Sequence, residues 1–313
     1  MGSLTVLLQL TLLVSFAILI FQANGQGLKV GFYPYKWPNL EPVIKDVIYK
    51  VISEDRTLAP PLQRMHFHDC FIRGCEGSFL LESPTKQAEK DAFPNLTLRG
   101  FQILDKVKLA VEKACSGDVS SADIMGPFWE VETGRKDGKV SILNEALTGL
   151  IPPSANISTL KKGFADRGLN MKDLVVLSGS HTIGISHCSS FSNRLYNFTG
   201  KNDADPTLDS EYAAKLKQKC KPGDQNSIVE MDPGSFKTFD VSYFTLVAKR
   251  RGLFESDAAL LNDGETKAYL KFQALNKGPT FFKDFGESMV KMGRIGVITG
   301  EGGEIRKVCT KVN

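Results

Sequence analysis

Apolar residues that recur at steps of three and four run through most of this chain, and that spacing commits it to helices packed on one another. Leu40, Val43, Ile44, Val47, Ile48, Val51 and Ile52 form one such stripe, and Phe101, Leu104, Val107 and Val111 form a second. Ser158 is placed to cap a helix that carries Leu160 and Phe164 and stops at Gly168. Another helix is expected to start near Asn170 with Leu174, Val175 and Leu177, and one with Tyr243, Phe244 and Val247 to end at Gly252. Phe281, Phe282, Phe285, Met289 and Met292 line a last one ended by Gly293. These aromatic and methionine stripes read as core. Alternating strand patterns are few, so the expected fold is mainly α. At 313 residues the chain is at the upper limit for one continuous core, and one large unit or two packed subdomains would both satisfy it.

The N-terminus bears on the compartment. From Leu4 to Phe21 nearly every residue is apolar, and Ala23-Asn24-Gly25 supplies small residues for a cut before Gln26. This is the pattern of a secretory signal peptide over residues 1–25. A membrane anchor is the competing reading, because no Lys or Arg precedes the run. No other stretch could span a bilayer, so no stable membrane association is expected after cleavage. Disulfides persist outside the cytosol, which makes bridge candidates of the six cysteines, Cys70, Cys75, Cys115, Cys188, Cys220 and Cys309. Sequons at Asn95, Asn156 and Asn197 fit the same compartment. The net charge is only +4 and its basic residues are scattered, which argues against a nucleic-acid partner.

Four histidines fall into two clusters, His66 with His68 and His181 with His187. In Arg64-Met-His-Phe-His68-Asp-Cys-Phe71 a helix would put Arg64 and His68 on one face. A permanent cation beside an imidazole favours its neutral form, so His68 would be ready to accept a proton. In Leu177-Ser-Gly-Ser-His181-Thr-Ile-Gly184 small residues flank His181, where a large planar group could approach its ring. His66 and His187 read as ordinary core histidines. The His-x-His-Asp pattern could also belong to a zinc hydrolase, but no further cluster supplies the remaining ligands.

Four segments carry a resemblance. They are Arg64 to Phe71 with Gly74-Cys75, Glu89 to Ala92 followed by Pro94-Asn95, Leu177 to Gly184, and Met231-Asp-Pro-Gly-Ser-Phe-Lys-Thr-Phe-Asp240. In them, and in their order, the chain resembles the secretory plant peroxidases (class III haem peroxidases) from near Gln26 to its end. The resemblance implies a helical haem peroxidase domain over residues 26–313, with two subdomains sandwiching one b-type haem. It implies that His181 is the iron ligand and that Asp257 accepts the other ring N–H. His68 would take a proton from hydrogen peroxide and return it to the leaving oxygen, while Arg64 stabilises the charge that develops. Asn95 would fix the tautomer of His68, with Glu89 supporting it, and that role argues against a glycan on Asn95. Small phenolic donors would then be oxidised in one-electron steps. Two calcium sites follow in the same way. One would use Asp69, the carbonyls of Ile72 and Gly74, Glu76 and Ser78; the other Thr182, Asp232, Ser235, the carbonyl of Thr238 and Asp240. Bridges Cys70–Cys75 and Cys188–Cys220 are implied too, in a monomer secreted to the extracellular space, with the vacuole as the lesser alternative.

The chain departs from the family pattern in several places. Trp37 and Ser121 stand where cysteines are expected, leaving Cys115 and Cys309 without their usual partners and open to pairing with each other. Between Ile124 and Gly126 the family has more residues, most of a helix, so Met125 here leads directly into a Gly-Pro turn. Glu76 replaces an aspartate in the first calcium loop. Ile151 replaces a proline that helps to place the aromatic donor. A catalytically impaired remnant is therefore the alternative to a working peroxidase.

Overall fold

The first two apolar stripes become helices α1 (Leu40–Glu54) and α3 (Phe101–Ala114), which pack along each other. Between them in sequence lies α2 (Ala59–Ile72), opened by Pro60 and Pro61, which fit a first turn because its N–H groups have no helical acceptor. The computed structural model describes residues 27–33, 36–125, 132–276 and 278–313. The signal-peptide reading and the segment from Gly126 to Trp129 lie outside the described residues.

Helix α2 is shared by two cores. Met65 joins Leu40, Ile48, Phe79, Ile103, Val107 and Val111 in one. Cys70 and Phe71 join Leu174, Val175, Phe244, Leu270, Phe281 and Met289 in the other. A helix buried on two sides has no clean polar face, which is why Arg64-Met-His-Phe-His-Asp shows no simple amphipathic stripe. The second core is built by α6 (Ile157–Ala165), α7 (Met171–Ser178), α10 (Ser242–Ala248), α12 (Gly264–Leu275) and α13 (Pro279–Met292). A third, smaller core gathers α8 (Ser192–Tyr196) and α9 (Ser210–Lys219) around Phe191, Leu195, Leu208 and Leu216. Strands are minor. β1 (Lys29–Val30) pairs antiparallel with β2 (Glu132–Thr133), and β3 (Ile185–His187) with β4 (Ile228–Glu230). The fold is that of a mainly helical protein, as the periodicity implies.

Two helix boundaries differ from expectation. The cap of α6 is Asn156, not Ser158: its Oδ1 accepts from the backbone N–H of Thr159 at 2.9 Å. Helix α10 ends before Gly252 because Arg250 adopts a left-handed φ of 61° and the N–H of Arg251 turns back to the Leu246 carbonyl at 2.8 Å.

The expected short helix is present as α4 (Ser121–Ile124), a single turn capped by Ser120, whose Oγ accepts from the Asp123 N–H at 3.1 Å. Its N-terminus is held by Asp137, which accepts from the N–H groups of Ser121 at 3.1 Å and Ala122 at 2.9 Å. Asp123 in turn accepts from the Tyr33 hydroxyl at 2.6 Å, the Gly134 N–H at 2.8 Å and Arg135 Nη1 at 2.9 Å.

Cys70–Cys75 and Cys188–Cys220 are bonded as expected. Cys115 and Cys309 are buried free thiols, so the pairing left open for them is not formed. Each has another contact: Cys115 Sγ meets the Val111 carbonyl of its own helix at 3.3 Å, and Cys309 Sγ meets Ser121 Oγ at 3.0 Å. Trp37 packs on the same core and sends its indole N–H to Asp118 at 2.8 Å.

Because Ser121 already touches Cys309, Ser121→Cys should close a bridge with it across a long loop. The expected gain is about 2–4 kcal/mol, lost on reduction. Denaturant melts with and without a thiol reductant measure it, and peptide mapping that leaves both thiols free would overturn the expectation.

Candidate active site

Helical spacing on α2 brings Arg64 and His68 together: Arg64 Nε donates to His68 Nε2 at 3.1 Å. That bond makes Nε2 the acceptor nitrogen, so Nδ1 carries the ring hydrogen. His68 Nδ1 meets Asn95 Oδ1 at 2.5 Å, and Asn95 Nδ2 donates to the Glu89 backbone carbonyl at 2.6 Å. The amide is thereby oriented with its oxygen towards the histidine. Asn95 sits in a short 3₁₀ turn, Phe93–Asn95, that follows another, Glu89–Asp91. Its burial at 2% exposure and its donated bond leave no room for a glycan.

His68 is pushed down to about 3, first by burial and second by the Arg64 charge, against the opposing effect of its hydrogen bond to Asn95. The expected neutral imidazole is found, but desolvation is its main cause and the neighbouring cation the lesser one. Arg64 has an open surface yet is ringed by protein, as a side chain lining a cleft would be; burial draws its guanidinium down to about 10, and it stays charged at neutral pH. Its other nitrogens are anchored on Thr97 Oγ1 at 3.0 Å and the Pro94 carbonyl at 2.6 Å.

His181 lies in a 3₁₀ turn, Gly179–Thr182, that continues α7. Glycine is needed at 179 because a Cβ there would come within 2.7 Å of Phe281 and 2.9 Å of Phe244. His181 Nδ1 meets Asp257 Oδ1 at 2.8 Å, on helix α11 (Glu255–Ala259). Burial alone would raise Asp257, but attraction to His181 and hydrogen bonds from His181, Phe254 and Tyr243 outweigh it and hold the carboxyl below its usual range. With Nδ1 committed, Nε2 has no hydrogen-bond partner among the described residues, and the side chain is 35% exposed. An imidazole held by a buried carboxylate, with its second nitrogen free, suits ligation of a haem iron.

Residues 44–276 match the peroxidase family. The chain belongs to the peroxidase family. It is 58% identical to Peroxidase 27 of Arabidopsis thaliana over 311 residues, 95% of this chain and 96% of the relative. Peroxidase 56 of the same plant is also 58% identical, over 314 residues that cover 96% and 94%. Peroxidase 1 of Oryza sativa subsp. japonica is 52% identical over 309 residues, 93% of this chain and 94% of the relative. The chain is thus an enzyme of the plant secretory peroxidase group, whose members bind haem.

The acids expected at calcium sites also come together in this peroxidase. Asp69 accepts from the Gly77 N–H at 3.1 Å, and Ser78 Oγ donates to Glu89 Oε1 at 2.9 Å. Glu76 Oε1 and Glu89 Oε2 are buried without a hydrogen-bond partner. Burial and the neighbouring Glu76 and Glu89 charges raise Asp69 well above the carboxylate range, and burial first of all lifts Glu89 to about 8. The Gly74 carbonyl accepts the Glu76 N–H at 2.7 Å, and Ile72 closes α2. On the other side Thr182 Oγ1 reaches Asp240 at 3.1 Å and Asp232 at 3.4 Å, Ser235 Oγ reaches Asp240 at 3.0 Å, and the Thr238 N–H reaches the Ser235 carbonyl at 2.8 Å. Burial and the Asp240 charge lift Asp232 to about 6.

Glu89 supports Asn95 through its main-chain carbonyl, while its carboxylate turns to Ser78. Ile151 is half-buried against the core, and a Cβ on Gly163 of α6 would meet its Cδ1 at 2.5 Å. The one His/Cys/Asp/Glu group with metal-like spacing among the described residues is His66, Cys70 and Cys75, whose cysteines are spent in a disulfide, so the zinc alternative has no site there. A cavity of about 320 Å³ lined by Cys70, Arg73, Arg167 and Ile295 includes neither His68 nor His181. The sequence reading missed Tyr243, whose hydroxyl donates to Asp257 Oδ1 at 3.0 Å. Its signal was available: a tyrosine in an apolar stripe must find a partner for its hydroxyl.

His66 is a core residue, as expected, with burial and then the Arg135 charge pushing it down to about 3. The folded chain therefore refuses a proton that the unfolded chain takes up below about pH 6.5, so stability falls as pH drops from there towards about 3. His66→Leu should reduce that slope by about 1.4 kcal/mol per pH unit, one proton's worth, in urea melts between these limits. An unchanged slope would contradict the assignment.

Proposed function

We propose that this peroxidase reduces hydrogen peroxide at a haem b held by His181 and passes the oxidising equivalents to small phenolic donors in one-electron steps. The observation that carries the proposal is the opposite wiring of two histidines. At His181 the Nδ1 nitrogen is tied to a buried carboxylate and Nε2 is left for a metal. At His68 the Nδ1 nitrogen is tied to an amide oxygen and Nε2 is left to handle protons. When bound, haem would supply an iron and a macrocycle that together can hold two oxidising equivalents and release them one electron at a time.

The residues divide the remaining work. His68 is neutral, so Nε2 accepts a proton from peroxide once the substrate draws the Arg64 N–H away from it. Asn95 holds the tautomer throughout. His68 then returns the proton to the departing oxygen, which leaves as water. Arg64, fixed by Thr97 and Pro94, aims its charge at the oxygen on which negative charge grows. Asp257 keeps the His181 ring oriented and electron-rich. Phe93 and Leu96, 76% and 66% exposed on either side of Pro94 and Asn95, offer apolar surface to an aromatic donor. Secretion to the extracellular space, after cleavage before Gln26, belongs to the same reading.

Two calcium ions would complete the structure. The buried, unpartnered oxygens of Glu76 and Glu89 beside Asp69 fit a hard divalent cation, which would remove their mutual repulsion. Thr182, Asp232, Ser235 and Asp240 fit a second. Gly138 matters to the first: a Cβ there would lie 1.1 Å from Glu76 Oε2, so the longer acid occupies space that only glycine leaves open.

The direct test is a Soret band in purified protein together with guaiacol oxidation by hydrogen peroxide. His68→Leu should retain the band and lose about 10²–10⁴-fold in turnover. Haem binding without turnover in the unaltered protein would return the remnant reading. Gly138→Ala should displace the Glu76 carboxylate and release one calcium, read as the ion content of dialysed protein; unchanged content would show that Glu76 is not a ligand.

A further inference from the structure

We infer that Tyr243 is a positioning residue that sets how strongly Asp257 pulls on His181, and thereby how electron-rich the metal-binding nitrogen of His181 becomes. The inference rests on the proposed ligation of haem iron by His181. Asp257 is 1% exposed and receives three hydrogen bonds. The Phe254 N–H serves Oδ2 at 2.9 Å, while His181 Nδ1 at 2.8 Å and the Tyr243 hydroxyl at 3.0 Å share Oδ1.

Two donors on one oxygen divide its negative charge. The stronger the tyrosine bond, the less charge remains to draw the Nδ1 hydrogen of His181 towards Asp257. A carboxylate that draws this hydrogen gives the ring imidazolate character and raises its basicity towards a metal. Tyr243 therefore works against Asp257 and limits its effect. Its hydroxyl has little choice of partner: the residue is 3% exposed on α10, and among the described residues Asp257 and the Ser178 side chain are its hydrogen-bonding neighbours.

The geometry also keeps Asp257 from drifting if the hydroxyl is removed. A Cβ on Gly252 would come within 2.7 Å of Asp257 Cβ, so the strap from Gly252 to Phe254 lies close against it. Arg194 Nη1 holds that strap by the carbonyls of Gly252 at 2.7 Å and of Leu253 and Phe254 at 2.9 Å. Around the imidazole, the rings of Tyr243 and Phe254 meet it edge-on at 5.9 and 5.2 Å and fix its plane. Phenylalanine at 243 would keep that ring contact and remove only the donor.

The experiment compares haem-loaded protein, Tyr243→Phe, and protein with fluorotyrosine, a stronger donor, at position 243. The readouts are the ferrous iron–histidine stretching frequency and the ferric/ferrous midpoint potential. Tyr243→Phe should raise the frequency and favour ferric iron by about tenfold, or about 59 mV for one electron. Fluorotyrosine should move both readouts the other way, and it carries the test alone if Tyr243→Phe does not fold. Unmoved readouts, or shifts of the opposite sign, overturn the assignment to Tyr243. A ferrous protein that binds haem but lacks any iron–histidine stretch overturns the ligation by His181 instead.

Discussion

One helix serves two cores, and the active site follows from that constraint. Helix α2 presents Met65 to one core and Phe71 to the other, so it cannot rotate or slide without opening both. Close packing makes such a double contact stiff. Arg64 and His68 ride on this helix, and their mutual geometry is set by helical repeat alone. His181 is mounted in the same manner on the turn that ends α7, pressed against Phe244 and Phe281. His68 and His181, the proposed proton acceptor and iron ligand, thus stand on separate, fully packed elements, as an arrangement that must hold its shape during chemistry requires.

Buried charge is matched almost everywhere else. Arg194 pairs with Asp205 at 2.7 Å and also satisfies three carbonyls, and Arg135 pairs with Asp123 at 2.9 Å while reaching the Gly293 carbonyl. Removing one partner of such a pair strands the other in a low dielectric. Against that background the cluster of Asp69, Glu76 and Glu89 stands out. Three buried acids repel one another, and among the described residues their one ion pair is the 4.0 Å contact between Arg73 and Glu76.

Much of this was legible in the sequence, and what escaped did so for identifiable reasons. Helices α1, α3, α7 and α13 carry single apolar stripes and can be read directly. The boundaries at Asn156 and Arg250 could not, since any of several small polar residues can cap a helix, and a left-handed arginine leaves no compositional trace. The pairing of Arg64 with His68 is a matter of spacing, but the main cause of the neutral imidazole is burial, which depends on the whole fold. Tyr243 was visible only as an apolar position. Its hydroxyl meets Asp257 on a separate helix, 14 residues along the chain, and no spacing rule spans that distance.

The shortened α4 bears on the loop from Glu76 to Ser78 before it bears on the histidines. Its first turn is anchored through Asp137, which accepts from Ser121, Ala122 and the backbone N–H of Arg306. The Arg306 guanidinium reaches the Gly77 carbonyl, and the Gly77 N–H donates to Asp69. A relay of contacts therefore runs from the shortened helix to Asp69, the first acid of the cluster with Glu76 and Glu89, and a Cβ at Gly77 would collide with Arg306 at 2.8 Å. The histidine machinery hangs on other supports: α2, the 3₁₀ turn of Asn95, and the strap held by Arg194. Strain from missing helical packing would thus reach Asp69 and Gly77 first, while Arg64 is tied to Thr97 and Pro94 and Asn95 to the Glu89 carbonyl. The shortened helix makes none of the hydrogen bonds that join Arg64, His68 and Asn95.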